Sequence, residues 1–137
     1  MSWKPETPFV STDGIVEIYE DDRLLGVVLI TRKNPPYGVA LPGGFVDVGE
    51  SVEDALRREM KEEISLDVTI TKLLGVYSDP TRDERFHTVS VVYVCKAYSS
   101  PIASDDAKSA TIIPIESLKT QDLVFDHKKI IEDYLSA

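Results

Sequence analysis

The stretch from Ser51 to Ile64 constrains this chain more than any other. Its spacing predicts a helix, because Val52, Ala55, Leu56, Met60 and Ile64 share one face at about 100° per residue. Glu59 and Glu63 project into that same face, and Glu62 stands just outside it. Three carboxylates at i, i+3 and i+4 therefore crowd one side of the helix. Partly buried and unpaired, they would be costly to hold or would take up protons. Either a cation satisfies them, from a protein side chain or a metal, or the helix is largely exposed and the charges are solvated. Hard, oxygen-seeking Mg²⁺ or Mn²⁺ suits such a cluster.

The segment before the helix favours a ligand. Gly43-Gly44 allows the backbone to approach one closely, Gly49 allows a tight turn, and Asp47 and Glu50 add negative charge. Elsewhere the pattern alternates strands with helices. Strands are expected over Pro8 to Tyr19, Leu24 to Thr31, Val68 to Tyr77, His87 to Lys96 and Thr111 to Pro114. Asn34-Pro35-Pro36-Tyr37-Gly38 reads as a loop, and Ser99 to Ala110 as a polar connection. Asp126 is placed to cap a last helix, His127 to Leu135. Strands interleaved with two helices indicate an α/β chain, a mixed sheet covered by helices.

Size and charge narrow the function. The 137 residues suit one domain, 1–137, without internal repeats. Lys and Arg total 15 against 24 Asp and Glu, a net charge of -9, which argues against a chain-wide grip on a nucleic acid polymer or an anionic membrane. An anionic small molecule remains compatible, because a bound cation inverts the local field. Cys95 has no second cysteine to pair with, and its apolar neighbourhood predicts a buried thiol. No apolar run is long enough for a membrane span, and Met1-Ser2-Trp3-Lys4-Pro5 lacks a signal-peptide core. The expectation is a cytoplasmic protein, with room for a homodimer.

Read together, Gly44 to Leu66 resembles the Nudix box: Gly44, then Glu50, then Arg58-Glu59-Met60-Lys61-Glu62-Glu63-Ile64-Ser65-Leu66. Ser65 stands where the family has glycine. The resemblance implies a Nudix fold, a mixed β-sheet sandwiched between α-helices. It also implies metal-dependent hydrolysis of a diphosphate linkage in a nucleotide-like substrate. By the same resemblance Glu59, Glu62 and Glu63 bind the metal, with the Gly43 carbonyl as a further ligand. Arg58 steadies the carboxylates, and Glu50 supports or joins them. The proton acceptor is Glu59 or Glu62 in the box, or Asp105 or Asp106 in a later loop; Ser109 occupies a position where some relatives carry a glutamate.

A second motif addresses the substrate. Ser78-Asp79-Pro80, followed by Arg82-Asp83, Arg85 and His87, resembles a run in ADP-ribose pyrophosphatase-like members, although Glu84 and Phe86 depart from the usual form. It implies ADP-ribose, cleaved to AMP and ribose 5-phosphate, with Arg82 and Arg85 forking onto substrate oxygens. Two enzymatic alternatives are a nucleoside triphosphate and a dinucleotide. A non-catalytic ligand sensor on the same fold is the third. Tyr37 and Phe86 are candidates for stacking on a base.

Overall fold

The computed structural model describes residues 3–104 and 106–137. Four long strands build most of the sheet: β1 (Phe9–Glu20), β2 (Arg23–Arg32), β5 (Thr69–Tyr77) and β6 (Thr88–Ala97). Two short strands, β3 (Val39–Ala40) and β4 (Gly43–Phe45), precede the helix α1 (Val52–Ile64). β7 (Ala107–Ile113), α2 (Ile115–Leu118) and α3 (His127–Ser136) complete the chain. The main order is β3-β2-β1-β6-β5, with β4 also on β1 and β7 on β2. β1 runs parallel to β6, from Phe9↔Thr88 to Ile18↔Ala97, and the other pairings are antiparallel. The sheet is thus mixed and covered by helices, as the interleaved pattern implies.

Residues of alternating parity feed two cores, since side chains in a strand point to opposite faces. Val16, Ile18, Val28, Ile30, Tyr93 and Cys95 pack with Leu56, Met60 and Ile64 of α1. Ile15, Val27, Leu29, Val92 and Val94 pack with Leu118, Ile130 and Ile131 on the other face. The apolar runs of β1, β2 and β6 are near-continuous because both of their faces are covered. Cys95 is fully buried, as expected of an inert thiol, and burial pushes its pKa up to about 12.

Four elements differ from the sequence reading. β7 begins at Ala107, well inside the expected polar connection, because its backbone pairs with β2 from Arg32 to Val27. β3 and β4 are too short to show a period of two and exist only through their partners β2 and β1. Asp126 starts α3 but makes no side-chain cap; its carboxylate accepts from Arg82 Nε and Nη2 at 2.9 and 2.7 Å instead. Among the described residues, no helix is long and apolar enough to cross a membrane.

Candidate active site

α1 begins at Ser51, whose hydroxyl accepts from the Asp54 amide at 3.1 Å, and ends at Ser65 in left-handed backbone. Between these caps Ala55, Leu56, Met60 and Ile64 of the stripe read from sequence are buried and Val52 is partly buried, and Glu63 among them is only 5% exposed. Glu63 Oε1 accepts from the Gly43 amide at 2.9 Å, tying the helix to β4. Burial is the main cause that lifts its carboxyl to about 8, and the charges of Glu59, Asp13 and Asp106 push the same way. Glu59 is half-buried and also raised, again mainly by burial, although Arg58 opposes the shift. Glu62 is exposed and lies outside the lining of the cleft that holds Glu59 and Glu63.

Arg58 is the hub of the acidic group. Its Nε and Nη2 fork onto Glu50 at 2.7 and 2.9 Å, Nη1 reaches Glu59 at 2.9 Å and Glu62 at 3.2 Å, and Nη2 also reaches the Phe45 carbonyl at 3.0 Å. These bonds hold the Glu50 carboxyl down at about 2, helped by the Asp47 amide. The i, i+4 pair with Glu62 is therefore one strand of a larger network rather than an isolated surface pair.

The glycines are required by proximity. A Cβ on Gly43 would stand 2.2 Å from Asp13 Oδ1, and one on Gly44 would stand 2.4 Å from the Glu59 carboxyl. Only backbone fits between β1 and α1 here. Among the described residues no three carboxylate, imidazole or thiol groups already converge as a metal shell, since Glu59 and Glu63 are turned onto Arg58 and Gly43. The donor set nonetheless suits a hard divalent cation: all oxygen, excess negative charge, partly desolvated, and beside a backbone stripped of side chains.

Sequence reasoning missed several residues of this cleft. Asp13 projects from β1 toward Gly43, accepts a short hydrogen bond from Ser90 and lies 3.8 Å from His127 Nε2. A lone aspartate in an apolar strand was the available signal. Arg32, Asn34, Asp83 and Phe125 also line the cleft. Asp106 lines it as well, with its carboxylate accepting from Asn34 Nδ2 at 3.0 Å; Asp105 lies outside the described residues.

The two loop arginines part company. Arg82 is buried, and its fork is taken by Asp126, so it does not extend a free guanidinium into the cleft. The physical reason is that a desolvated guanidinium requires a carboxylate partner. Arg85 binds Asp83 at 3.0 and 2.8 Å and lies over the rings of Phe45, Phe86 and Phe125 at 5.6, 5.2 and 5.3 Å. Phe86 packs on Phe9 at 4.8 Å, whereas Tyr37 is largely exposed and does not line the cleft. His87 Nε2 meets the Ser78 carbonyl at 3.2 Å, a link that closes the loop.

Residues 8–134 match the family model described as NUDIX domain. An ADP-ribose pyrophosphatase of Methanocaldococcus jannaschii is 47% identical over 93% of this chain and 73% of its own. The NUDIX domain of Shewanella oneidensis NrtR, solved with ADP ribose, superposes with a TM-score of 0.83 at 25% identity, covering 98% of this chain and 93% of that one. A bifunctional NMN adenylyltransferase/ADP ribose pyrophosphatase of Francisella tularensis, solved with AMP and a Mn ion, superposes at 0.81 with 28% identity. That match covers 99% of this chain and 43% of the other.

Proposed function

The chain belongs to the Nudix family, and from that premise we propose that it hydrolyses ADP-ribose to AMP and ribose 5-phosphate with Mg²⁺. The observation that carries this reading is the pairing of opposites in one cleft: half-buried Glu59 and buried Glu63 together with the guanidinium of Arg85. Mn²⁺ satisfies the same oxygen donors. Likeness to the archaeal ADP-ribose pyrophosphatase over nearly the whole chain supports the substrate.

Glu59, Glu62 and Glu63, with the Gly43 carbonyl, are the residues that would hold the cation. When bound, it supplies charge neutralisation at the diphosphate and acidifies a water. Arg58 orients Glu59 and Glu62 by direct ion pairs and ties them to Glu50. Asp106 lines the cleft and Glu62 does not, which makes Asp106 the better placed of the two to accept a proton from attacking water. Arg85 contributes cationic edges at the cleft wall, and Arg82 positions the start of α3 through Asp126.

A side-by-side assay with ADP-ribose, NADH, diadenosine polyphosphates and nucleoside triphosphates tests the reading. ADP-ribose is expected to show the highest kcat/KM, with AMP and ribose 5-phosphate as products. A triphosphate that wins and releases pyrophosphate overturns the substrate assignment. Binding of ADP-ribose without cleavage replaces the enzyme by a ligand sensor.

A further inference from the structure

Leu41-Pro42 joins β3 to β4, and each residue from Leu41 to Gly43 is held by a different element. The Leu41 amide donates to His127 Nδ1, at the start of α3, at 3.0 Å. The Pro42 carbonyl accepts from the Gly14 amide of β1 at 3.0 Å. The Gly43 amide donates to Glu63 of α1 at 2.9 Å. Two of these holds come from the neighbouring strand and the acidic helix. The third is a side chain 86 residues away, 2% exposed, that grips one peptide.

Gly43 is what this grip serves. Asp13 stands opposite Gly43 in the antiparallel pairing of β1 with β4. The bonds from Gly14 to Pro42 and from Val46 to Val10 fix the phase of that ladder. Opposed pairs alternate between bonded and non-bonded, so Asp13 and Gly43 form a non-bonded pair. The amide and carbonyl of Gly43 therefore both turn away from β1, on the side where the amide meets Glu63. The aim of that carbonyl follows from the peptides before it, and His127 fixes the first of them.

His127 is itself braced. Because Nδ1 accepts, the neutral ring carries its proton on Nε2, which faces Asp13 Oδ2 at 3.8 Å. The same Asp13 oxygen accepts from the Ser90 hydroxyl, and Ser90 is fully buried. The Phe125 ring lies 5.2 Å from the imidazole. Apolar side chains would fill this space without the desolvation that polar groups suffer. What the line from Ser90 through Asp13 to His127 adds is a peptide held in one orientation.

We propose that His127, braced by Asp13 and Ser90, is a positioning residue for the cation site: it fixes the Leu41 peptide and through it the aim of the Gly43 carbonyl. In this role it acts through the backbone and touches no reacting atom. The proposal rests on the reading of Gly43, Glu59 and Glu63 as cation ligands, since it assigns His127 to that same site.

Titration of the metal-free protein with Mn²⁺, followed by loss of the free-ion electron paramagnetic resonance signal, reads the site without substrate or turnover. His127→Leu removes the acceptor and is expected to weaken Mn²⁺ binding by roughly 10- to 100-fold, the range for losing a group that orients a metal ligand. His127→Asn returns an acceptor to the Leu41 amide and should recover most of that loss. Ser90→Ala loosens Asp13 without touching His127, and should move the affinity the same way by less. Wild-type Mn²⁺ affinity in His127→Leu overturns the proposal even if its metal-free melting temperature falls, because His127 then supports only the fold. Equal losses in His127→Leu and His127→Asn overturn it too, because the acceptor then plays no part. If His127→Leu does not fold, Ser90→Ala decides: weaker Mn²⁺ binding supports the brace, and wild-type binding removes it. A wild-type protein that binds no Mn²⁺ removes the cation reading and the proposal with it. Failure of the ADP-ribose assignment shows separately, in the wild-type substrate panel.

Discussion

Ser65 adopts φ 61° at the end of α1, the backbone for which the family glycine is suited. The structure adds what spacing could not: its hydroxyl donates to the Ile102 carbonyl at 3.1 Å. Replacing it by glycine relieves roughly 1 kcal/mol of left-handed strain. It also removes an exposed hydrogen bond worth about 0.5–1.5 kcal/mol. The two nearly cancel, so Ser65→Gly should leave urea stability within about 1 kcal/mol of wild type and activity intact. A larger loss would show that the Ile102 link anchors the connection into β7.

At the scale of elements, α3 shows how one helix end serves the site. His127 is its first residue, and His127 Nδ1 accepts from the Leu41 amide at 3.0 Å. The imidazole is then neutral with its proton on Nε2, which faces Asp13 at 3.8 Å. Burial lowers its pKa; Asp13 and Asp126 oppose the shift, and Arg82 and Arg32 reinforce it. A depressed folded pKa contributes stability that is present above the unfolded value of about 6.5 and lost as pH falls below it. Its slope is bounded by about 1.4 kcal/mol per pH unit. Denaturation between pH 7 and 5 should therefore show a steeper loss in wild type than in His127→Asn, which retains an acceptor for Leu41. Equal slopes would mean that His127 titrates alike in both states. The Arg82–Asp126 bond belongs to the same element: it replaces the expected cap and joins the start of α3 to the loop before β6.

For the whole molecule, the cation couples the site to stability. Ligands that bind only the folded state stabilise it, by about 2.7 kcal/mol at 100 times Kd. Wild type should therefore melt higher in saturating Mg²⁺ or Mn²⁺. Glu63→Gln keeps the shape and the acceptor for the Gly43 amide but removes the charge. It should fold as well as wild type without metal, lose most of the metal-induced rise in melting temperature, and fall at least about 100-fold in turnover. Full activity at low Mg²⁺ would remove Glu63 from the metal site.

What the sequence determined by itself was local. The helix from Ser51, its apolar stripe and the intrusion of Glu59 and Glu63 follow from spacings within a few turns, because α-helical geometry is set by near neighbours, whereas only the family glycine, not the spacing, pointed to a left-handed end at Ser65. The four long strands were legible for the same reason, since runs of apolar residues survive whatever their partner. Tertiary structure alone decided the pairings. Asp13 meets Ser90 across 77 residues, Leu41 meets His127 across 86, and Arg82 meets Asp126 across 44. Such contacts depend on strand order and on the parallel register of β1 with β6, which no local period encodes. The same holds for the arginines: three basic residues look alike in a sequence, and only packing shows that Arg82 is spent on Asp126 while Arg32 is left facing the cleft.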